Sequence, residues 1–290
     1  NKIMRKGIIL LGGMGKRFLP ATSIINKHLI PIVDRPMFHF SLSTLMLAGI
    51  KVINIVSNNE TIKLIKKSLG NGNKYGLNLS YTIQEKPRGI PEGISLSKKF
   101  IGKSNFALML GDNFFYSSNL SNTLTKISRS HKNTLVTYKV SNPSEFGVLI
   151  QKRNKIKKII EKPKKFYSDL VVTGLYFYEN EVVNLLKYIK PSRRKELEIT
   201  DLNNIINKKK KLYHYELERG SVWLDSGTPE NHIKTTEFVR IIEERTNKKI
   251  GLIEEVAFQK GFISKNSLKK IIKTTNVSNT NLIYLKKIVK

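Results

Sequence analysis

The apolar run 7–11 breaks into Gly12-Gly13-Met14-Gly15-Lys16-Arg17, and ten residues beyond that arginine stands Lys27, in Asn26-Lys27-His28-Leu29-Ile30-Pro31. A strand ending in a glycine turn beside two cations constrains this chain more than any other feature. Glycines let the backbone approach phosphate oxygens and turn its N–H groups toward them, while Arg17 and Lys27 neutralise charge that amides cannot. The pattern is compatible with a triphosphate cradle and, taken alone, equally with a structural turn. It lacks the Gly-x-x-x-x-Gly-Lys-Ser/Thr spacing of a P-loop. Arg17-Phe18 also stands where a third glycine would complete a dinucleotide fingerprint, so neither of those sites is expected.

At 290 residues, with 40% hydrophobic and 26% charged content, the chain can bury a sizeable core. No cysteine occurs, which excludes disulfides, thiolate metal sites and cysteine nucleophiles. No apolar stretch reaches the length of a membrane span, and the first apolar run ends in glycines rather than a signal-peptide cleavage site. A cytoplasmic enzyme with no membrane partner is expected. The net charge of +30, from 52 Lys+Arg against 22 Asp+Glu, invites a nucleic-acid reading. Against it, the lysines are scattered and lack the interleaved aromatic residues of a base-stacking platform. Lysine, isoleucine and asparagine are abundant together, as when an A/T-rich genome drifts toward their codons. Drift on solvated faces therefore outweighs nucleic-acid binding in this reading.

Runs rich in β-branched and aromatic residues recur at 7–11, 52–56, 79–83, 106–110, 135–140, 148–150 and 175–178, and read as strands. Helices are expected at 38–48, 61–68 and 94–100, ending at or near Gly49, Gly70 and Gly102, and later at 181–188, 200–208 and 229–248. Strand alternating with helix implies a parallel or mixed sheet flanked by helices, with ligands gathering beyond the carboxyl ends of strands. One domain spanning 1–290 is expected. Its catalytic core would occupy about 6–240, and a lysine-rich helical extension of about 241–290 would serve packing or assembly.

Leu108-Met109-Leu110-Gly111-Asp112-Asn113 ends an apolar strand in a carboxylate, and Val222-Trp223-Leu224-Asp225-Ser226-Gly227-Thr228 is expected to do the same. Two such aspartates could share one Mg²⁺, which takes one or two carboxylates together with phosphate oxygens and water. Each alone reads as a cap or turn residue. In Glu161-Lys162-Pro163 the proline disfavours helix for Lys162 and is expected to hold it extended, where it could aim at a phosphate. Glu196-Leu197-Glu198-Ile199-Thr200-Asp201 is either a sugar-hydroxyl site or a capping box into a helix at Thr200. Gln84, with Arg88 and Gly89 near it, could meet a base edge or sit in a surface loop. The histidines show no metal-ligand spacing and receive no role.

Taken in order, these motifs resemble the sugar nucleotidyltransferases. The likeness runs from Lys6 to about Gly261 and adds Asp34-Arg35-Pro36-Met37, Leu42 to Ile50 and Val172-Thr173-Gly174-Leu175-Tyr176-Phe177-Tyr178 to the motifs above. It implies an α/β fold: a three-layer α/β/α sandwich with a mixed, mostly parallel Rossmann-like sheet and a C-terminal helical extension. It implies transfer of a thymidylyl group from dTTP to α-D-glucose 1-phosphate by in-line attack, with no covalent enzyme intermediate. Arg17 and Lys27 would hold the departing pyrophosphate, Asp112 and Asp225 would bind Mg²⁺, and Lys162 would grip the sugar phosphate. Leu11, Gly12, Gly13, Gly15 and Asp112 would contact the nucleotide, and Gln84 and Gly89 would face the base. Asn113, Gly147, Glu161 and Val172 would line the glucose pocket. Family members are often tetrameric, which implies a homo-oligomer built as a dimer of dimers. Where the family usually shows Ala-Gly-Gly-Ser-Gly-Thr-Arg, this chain has Leu11, Met14 and Lys16, and Lys86, Arg88 and Glu92 replace small or amide residues near the base. Phe18-Leu19-Pro20-Ala21-Thr22 is also similar to the uridylyltransferase relatives.

Overall fold

A computed structural model describes residues 5–13, 15–153, 155–192, 194–274 and 279–290; Met14, one of the loop substitutions, lies outside the described residues. Strand β1 (Lys6–Leu10) leads through the glycine loop to a short hairpin of β2 (Pro31–Ile32) and β3 (Arg35–Pro36). Next come α1 (Phe38–Leu47), β4 (Val52–Ser57), α2 (Asn59–Leu69), β5 (Asn78–Ile83), α3 (Ile90–Leu96), α4 (Lys98–Ile101) and β6 (Phe106–Leu110). The chain continues as β7 (Asn113–Tyr116), α5 (Leu120–Arg129), β8 (Asn133–Lys139), β9 (Gly147–Lys152), β10 (Lys155–Glu161), β11 (Leu170–Tyr178), α6 (Ile199–Lys208), β12 (Leu212–Glu216) and β13 (Val222–Asp225). Helices α7 (Pro229–Thr246), α8 (Ile253–Gln259), α9 (Lys265–Thr274) and α10 (Asn279–Ile288) follow.

Nine strands form the central sheet, ordered β10-β9-β11-β6-β1-β4-β5, with β8 paired to β11 and β12 to β8. Strands β1, β4, β5, β6, β8, β9 and β12 run one way, and β10 and β11 run against them, the mixed and mostly parallel arrangement expected. Successive side chains of a strand point to opposite faces. In β1 and β6, Ile8, Leu10, Phe106 and Leu108 enter one buried cluster, while Ile9, Ala107 and Met109 enter another. Both faces are therefore apolar and both are covered: α1, α2, α5 and α8 supply one cluster, and α3, α4 and α6 the other. Removing this apolar surface from water is what holds the three layers together, at roughly 25 cal/mol per Å².

Local signals fix where elements start and stop. Asn58 caps α2 by accepting the Thr61 N–H at 2.8 Å, and Gly70 follows its end. Thr228 caps α7 by accepting the Asn231 N–H at 3.2 Å, with Pro229 in the first turn. Helix α7 runs unbroken through residue 240. The last turns of α7, the loop after it and α10 dock on the β2–β3 hairpin, while α8 packs against α1. At the hairpin the buried Arg35 donates to Glu243 at 2.9 Å and to the Ile250 carbonyl, and Asn281 Nδ2 donates to Asp34 at 2.8 Å.

Two local expectations change, and one further strand lies where none was expected. Residues 180–188 form 3₁₀ turns rather than an α-helix. No side-chain capping box starts α6: the Glu198 carboxylate is engaged by Arg194 and Ser192 instead, and the Thr200 hydroxyl donates to Glu161. The basic stretch at 155–161 is strand β10, at one edge of the sheet, where the lysines face solvent and Ile159 is buried. Lysine on an edge strand blocks pairing with another chain.

Candidate active site

Strands β1 and β6 are adjacent and parallel, with Leu10 opposite Leu110. The glycine loop leaving β1 and the Gly111-Asp112 segment leaving β6 therefore emerge side by side at the carboxyl edge of the sheet, the usual ligand crevice of such folds. Gly111 makes this approach possible, because a β-carbon there would run into the Leu11 side chain and lie 2.6 Å from the His28 ring. On the other side β13 pairs with β7, setting Asp225 opposite Asn113, and the Ser226 N–H donates to the Asp112 carbonyl at 2.8 Å. A β-carbon built on Gly227 would lie 2.8 Å from Asp225 Oδ1 and 3.4 Å from Asp112 Oδ2. Both carboxylates thus face one point.

A cleft of about 560 Å³ opens there, lined by Gly12, Gly13, Gly15, Arg17, Lys27, Gln84, Gly89, Asp112 and Asp225. Lys27 Nζ lies 2.5 Å from Asp112 Oδ2. Burial alone would lower the Lys27 ammonium, but Asp112, bonded to it, and Asp225 hold it above its ordinary value. Burial would likewise raise Asp112, yet the charge and hydrogen bond of Lys27, with a hydrogen bond from Asn113, keep its carboxyl well below the usual carboxylate range. Asp225 is pushed up to about 6, first by burial and then by its neighbour Asp112. A firmly ionised carboxylate beside one that resists ionising is an environment that a further cation would stabilise. Arg17 sits on the exposed 3₁₀ turn Lys16–Phe18 and has no ion-pair partner among the described residues.

Lys27 is held in place by residues to which the sequence gave no role. Asn26 Oδ1 accepts the His28 N–H at 3.0 Å and lies 2.8 Å from the His28 ring Nδ1, while Asn26 Nδ2 donates to the Leu11 carbonyl at 3.1 Å. An oxygen can only accept, so Nδ1 carries the ring proton. Burial first, and Lys27 second, lower His28 to about 3, and the ring is neutral. The signal for this clamp is the Asn26-Lys27-His28 triplet itself, an N-cap opening a 3₁₀ turn.

The residues expected around the sugar form a second cluster beside the cleft. Gly147 lies opposite Glu161 in β10 and opposite Val172 in β11, so the three share one row across the sheet. Glu161 Oε2 accepts from the Thr200 hydroxyl at 2.6 Å, and its other oxygen lies 3.4 Å from Arg194. The segment carrying Glu196, which lines the cleft, also carries Leu197, whose N–H donates to the Arg88 carbonyl at 2.8 Å. Gly89 has φ of +107°, and a β-carbon there would collide with the Leu197 carbonyl. Base loop and sugar cluster are thereby packed together.

Asn113 is buried rather than exposed to this space. Its oxygen accepts the Gly174 N–H at 2.8 Å and the Trp223 indole N–H at 2.6 Å, and its Nδ2 donates to Asp112 at 3.2 Å. It positions Asp112 from beneath. Leu11 is also fully buried, its carbonyl taken by Ser57 at 2.9 Å. Lys162 departs from the extended backbone expected before Pro163: its φ is +42° as its N–H turns to the Phe146 carbonyl at 3.0 Å, leaving the side chain exposed. Among the described residues no group of three or more acids and histidines forms a metal cage. A hard cation would rest on two carboxylates supplemented by phosphate and water, a donor set that fits Mg²⁺.

A mixed sheet with a cationic glycine loop and paired acids at its carboxyl edge defines a protein that handles nucleoside phosphates. The chain belongs to the nucleotidyl transferase family, whose pattern matches residues 6–241. It is similar to glucose-1-phosphate thymidylyltransferase of Neisseria meningitidis serogroup A, with 40% identity over 271 residues that cover 93% of this chain and 94% of that one. Among solved structures, a provisionally assigned glucose-1-phosphate thymidylyltransferase from Bacillus anthracis, in complex with a sucrose, matches with a TM-score of 0.74 and 34% identity. That match covers 81% of this chain and 95% of the other. A UDP-glucose pyrophosphorylase complexed with UDP-glucose matches with a TM-score of 0.73 and 25% identity, covering 82% of this chain and 99% of its own. Among the described residues no helix is long and apolar enough to cross a membrane.

Proposed function

We propose that the protein transfers the thymidylyl group of dTTP to α-D-glucose 1-phosphate, forming dTDP-glucose and pyrophosphate. The observation that carries this is the meeting of Asp112, Asp225, Lys27, Arg17 and the glycine loop around one cleft. A phosphate oxygen of the sugar attacks the α-phosphorus, and the bond from that phosphorus to the pyrophosphate oxygen breaks. The nucleophile arrives with the substrate, so the protein needs no nucleophilic side chain and acts by positioning and charge neutralisation. The glycine-loop N–H groups and Arg17 face the triphosphate, and Lys27, already aligned by Asn26 and Asp112, receives the charge that builds on pyrophosphate. Gln84 and Gly89 bound the base, Gly147, Glu161 and Val172 bound the sugar, and Lys162 reaches the sugar phosphate from the edge of β10. Asp112 and Asp225 are the residues that would hold Mg²⁺, which when bound neutralises phosphate charge and polarises the reacting oxygens. The family resemblance supports assembly as a dimer of dimers and work in the cytoplasm.

Uridylyl transfer is the second reading, favoured by the structural match to the UDP-glucose pyrophosphorylase. Pyrophosphate release measured across four nucleotides and a panel of sugar 1-phosphates separates the two. The expected result is fastest release from dTTP with glucose 1-phosphate. Faster release from UTP favours the second reading, and no release from any pair overturns both.

A further inference from the structure

Gln84 follows β5 into the cleft and is 7% exposed, its backbone N–H donating to the Ser57 carbonyl at 2.8 Å. Its side chain is clamped as well. Nε2 donates to Glu92 Oε2 at 2.7 Å, and that same oxygen accepts the Arg88 N–H at 2.9 Å. Glu92 stands in the first turn of α3, and Arg88 Nε lies 3.9 Å from its other oxygen.

A carboxylate accepts hydrogen bonds and has none to give. It therefore decides which end of the Gln84 amide it receives: the NH₂ end faces Glu92 and Oε1 faces away from it. A β-carbon on Gly12 would lie 2.8 Å from Oε1, so this oxygen sits over the start of the glycine loop. An amide without such a partner turns over freely, because its two ends differ little in shape and each can satisfy a polar neighbour.

The order of donor and acceptor on the amide matters for a base held in one pose. Thymine and uracil present an imide edge, with the ring N3–H donating and the adjacent O4 accepting. Cytosine reverses that order, with ring N3 accepting and the exocyclic N4 donating. One amide orientation matches one of these edges, and the amide must turn over to match the other. We infer that Glu92 determines base specificity by locking the Gln84 amide, so that the cleft takes imide bases and rejects cytosine. This rests on the thymidylyl reading above. Glu92 acts through Gln84 and is a positioning residue.

The test is Glu92→Gln, which keeps the volume and can bond the Gln84 amide in either orientation, alongside Glu92→Ala, which removes the partner. Dissociation constants for dTTP and dCTP are measured by calorimetry on the full-length protein, together with turnover of each nucleotide. The lock predicts that preference for dTTP over dCTP falls about tenfold or more in both variants, the scale on which one mismatched hydrogen-bonding edge is rejected. A role confined to supporting α3 would weaken both nucleotides equally and leave the ratio where it was. An unchanged ratio in both variants overturns the lock. Failure of the wild-type protein to turn over dTTP overturns the thymidylyl reading instead, and the binding ratio still reports on Glu92.

Discussion

Asp112→Asn should lower kcat by about a hundredfold or more, since charge stabilisation through a metal-bound carboxylate is worth several kcal/mol and each 1.4 kcal/mol or so is a factor of ten. The substitution preserves size and leaves the Asp112 carbonyl free to accept the Ser226 N–H. What it removes is the charge facing Lys27 at 2.5 Å and the point shared with Asp225. The loss should therefore fall on turnover, and should deepen when Mg²⁺ is limiting. Steady-state pyrophosphate release over a Mg²⁺ series measures it. An unchanged rate at limiting Mg²⁺ would remove Asp112 from the reacting site.

Lys27→Ala should depress turnover by about a hundredfold to a thousandfold, the range seen when one preorganised charge or donor facing the transition state is lost. Arg17 cannot substitute, because it lies on an exposed turn whereas Lys27 opens a turn capped by Asn26 and is ion-paired to Asp112. The same substitution leaves a buried Asp112 without its nearest cation, so some loss of stability is expected with it. Thermal unfolding and single-turnover rates measured on the same preparation separate the effects. A lower melting temperature with normal single-turnover chemistry would make Lys27 a structural counter-ion and nothing more.

The parts of this molecule that the sequence discloses are those where one local pattern has one physical outcome. The runs at 7–11, 52–56 and 106–110 are apolar because their strands are covered on both faces, and they lie where that pattern predicts. Gly49 and Gly70 mark helix ends because positive φ there suits glycine. Strand β10 is hidden because an edge strand with lysines facing solvent has the composition of a loop. Short β7 is hidden for another reason: its pairing with β13 joins residues far apart in the chain, and that pairing brings Asp225 beside Asp112. The sequence presents two aspartates at strand ends without saying that they meet. Burial of His28, the inward-facing amide of Asn113 and the clamp between Gln84 and Glu92 likewise depend on packing across elements. Lys162 takes its left-handed backbone from the carbonyl of Phe146, a partner that its neighbour Pro163 gives no hint of.

The meeting of metal, nucleotide and cationic loop at one point is tested most directly by Mn²⁺, a paramagnetic stand-in for Mg²⁺, titrated into the protein with a non-hydrolysable dTTP analogue and followed by electron paramagnetic resonance. Asp225 is pushed up to about 6 and must lose its proton to ligate, so affinity should fall as pH drops through that value. The expected result is one tightly held Mn²⁺ per chain that depends on the nucleotide and is weakened by at least about tenfold in both Asp112→Asn and Asp225→Asn. Wild-type affinity for the Mn²⁺–nucleotide complex in both variants would place the metal elsewhere and contradict the shared site.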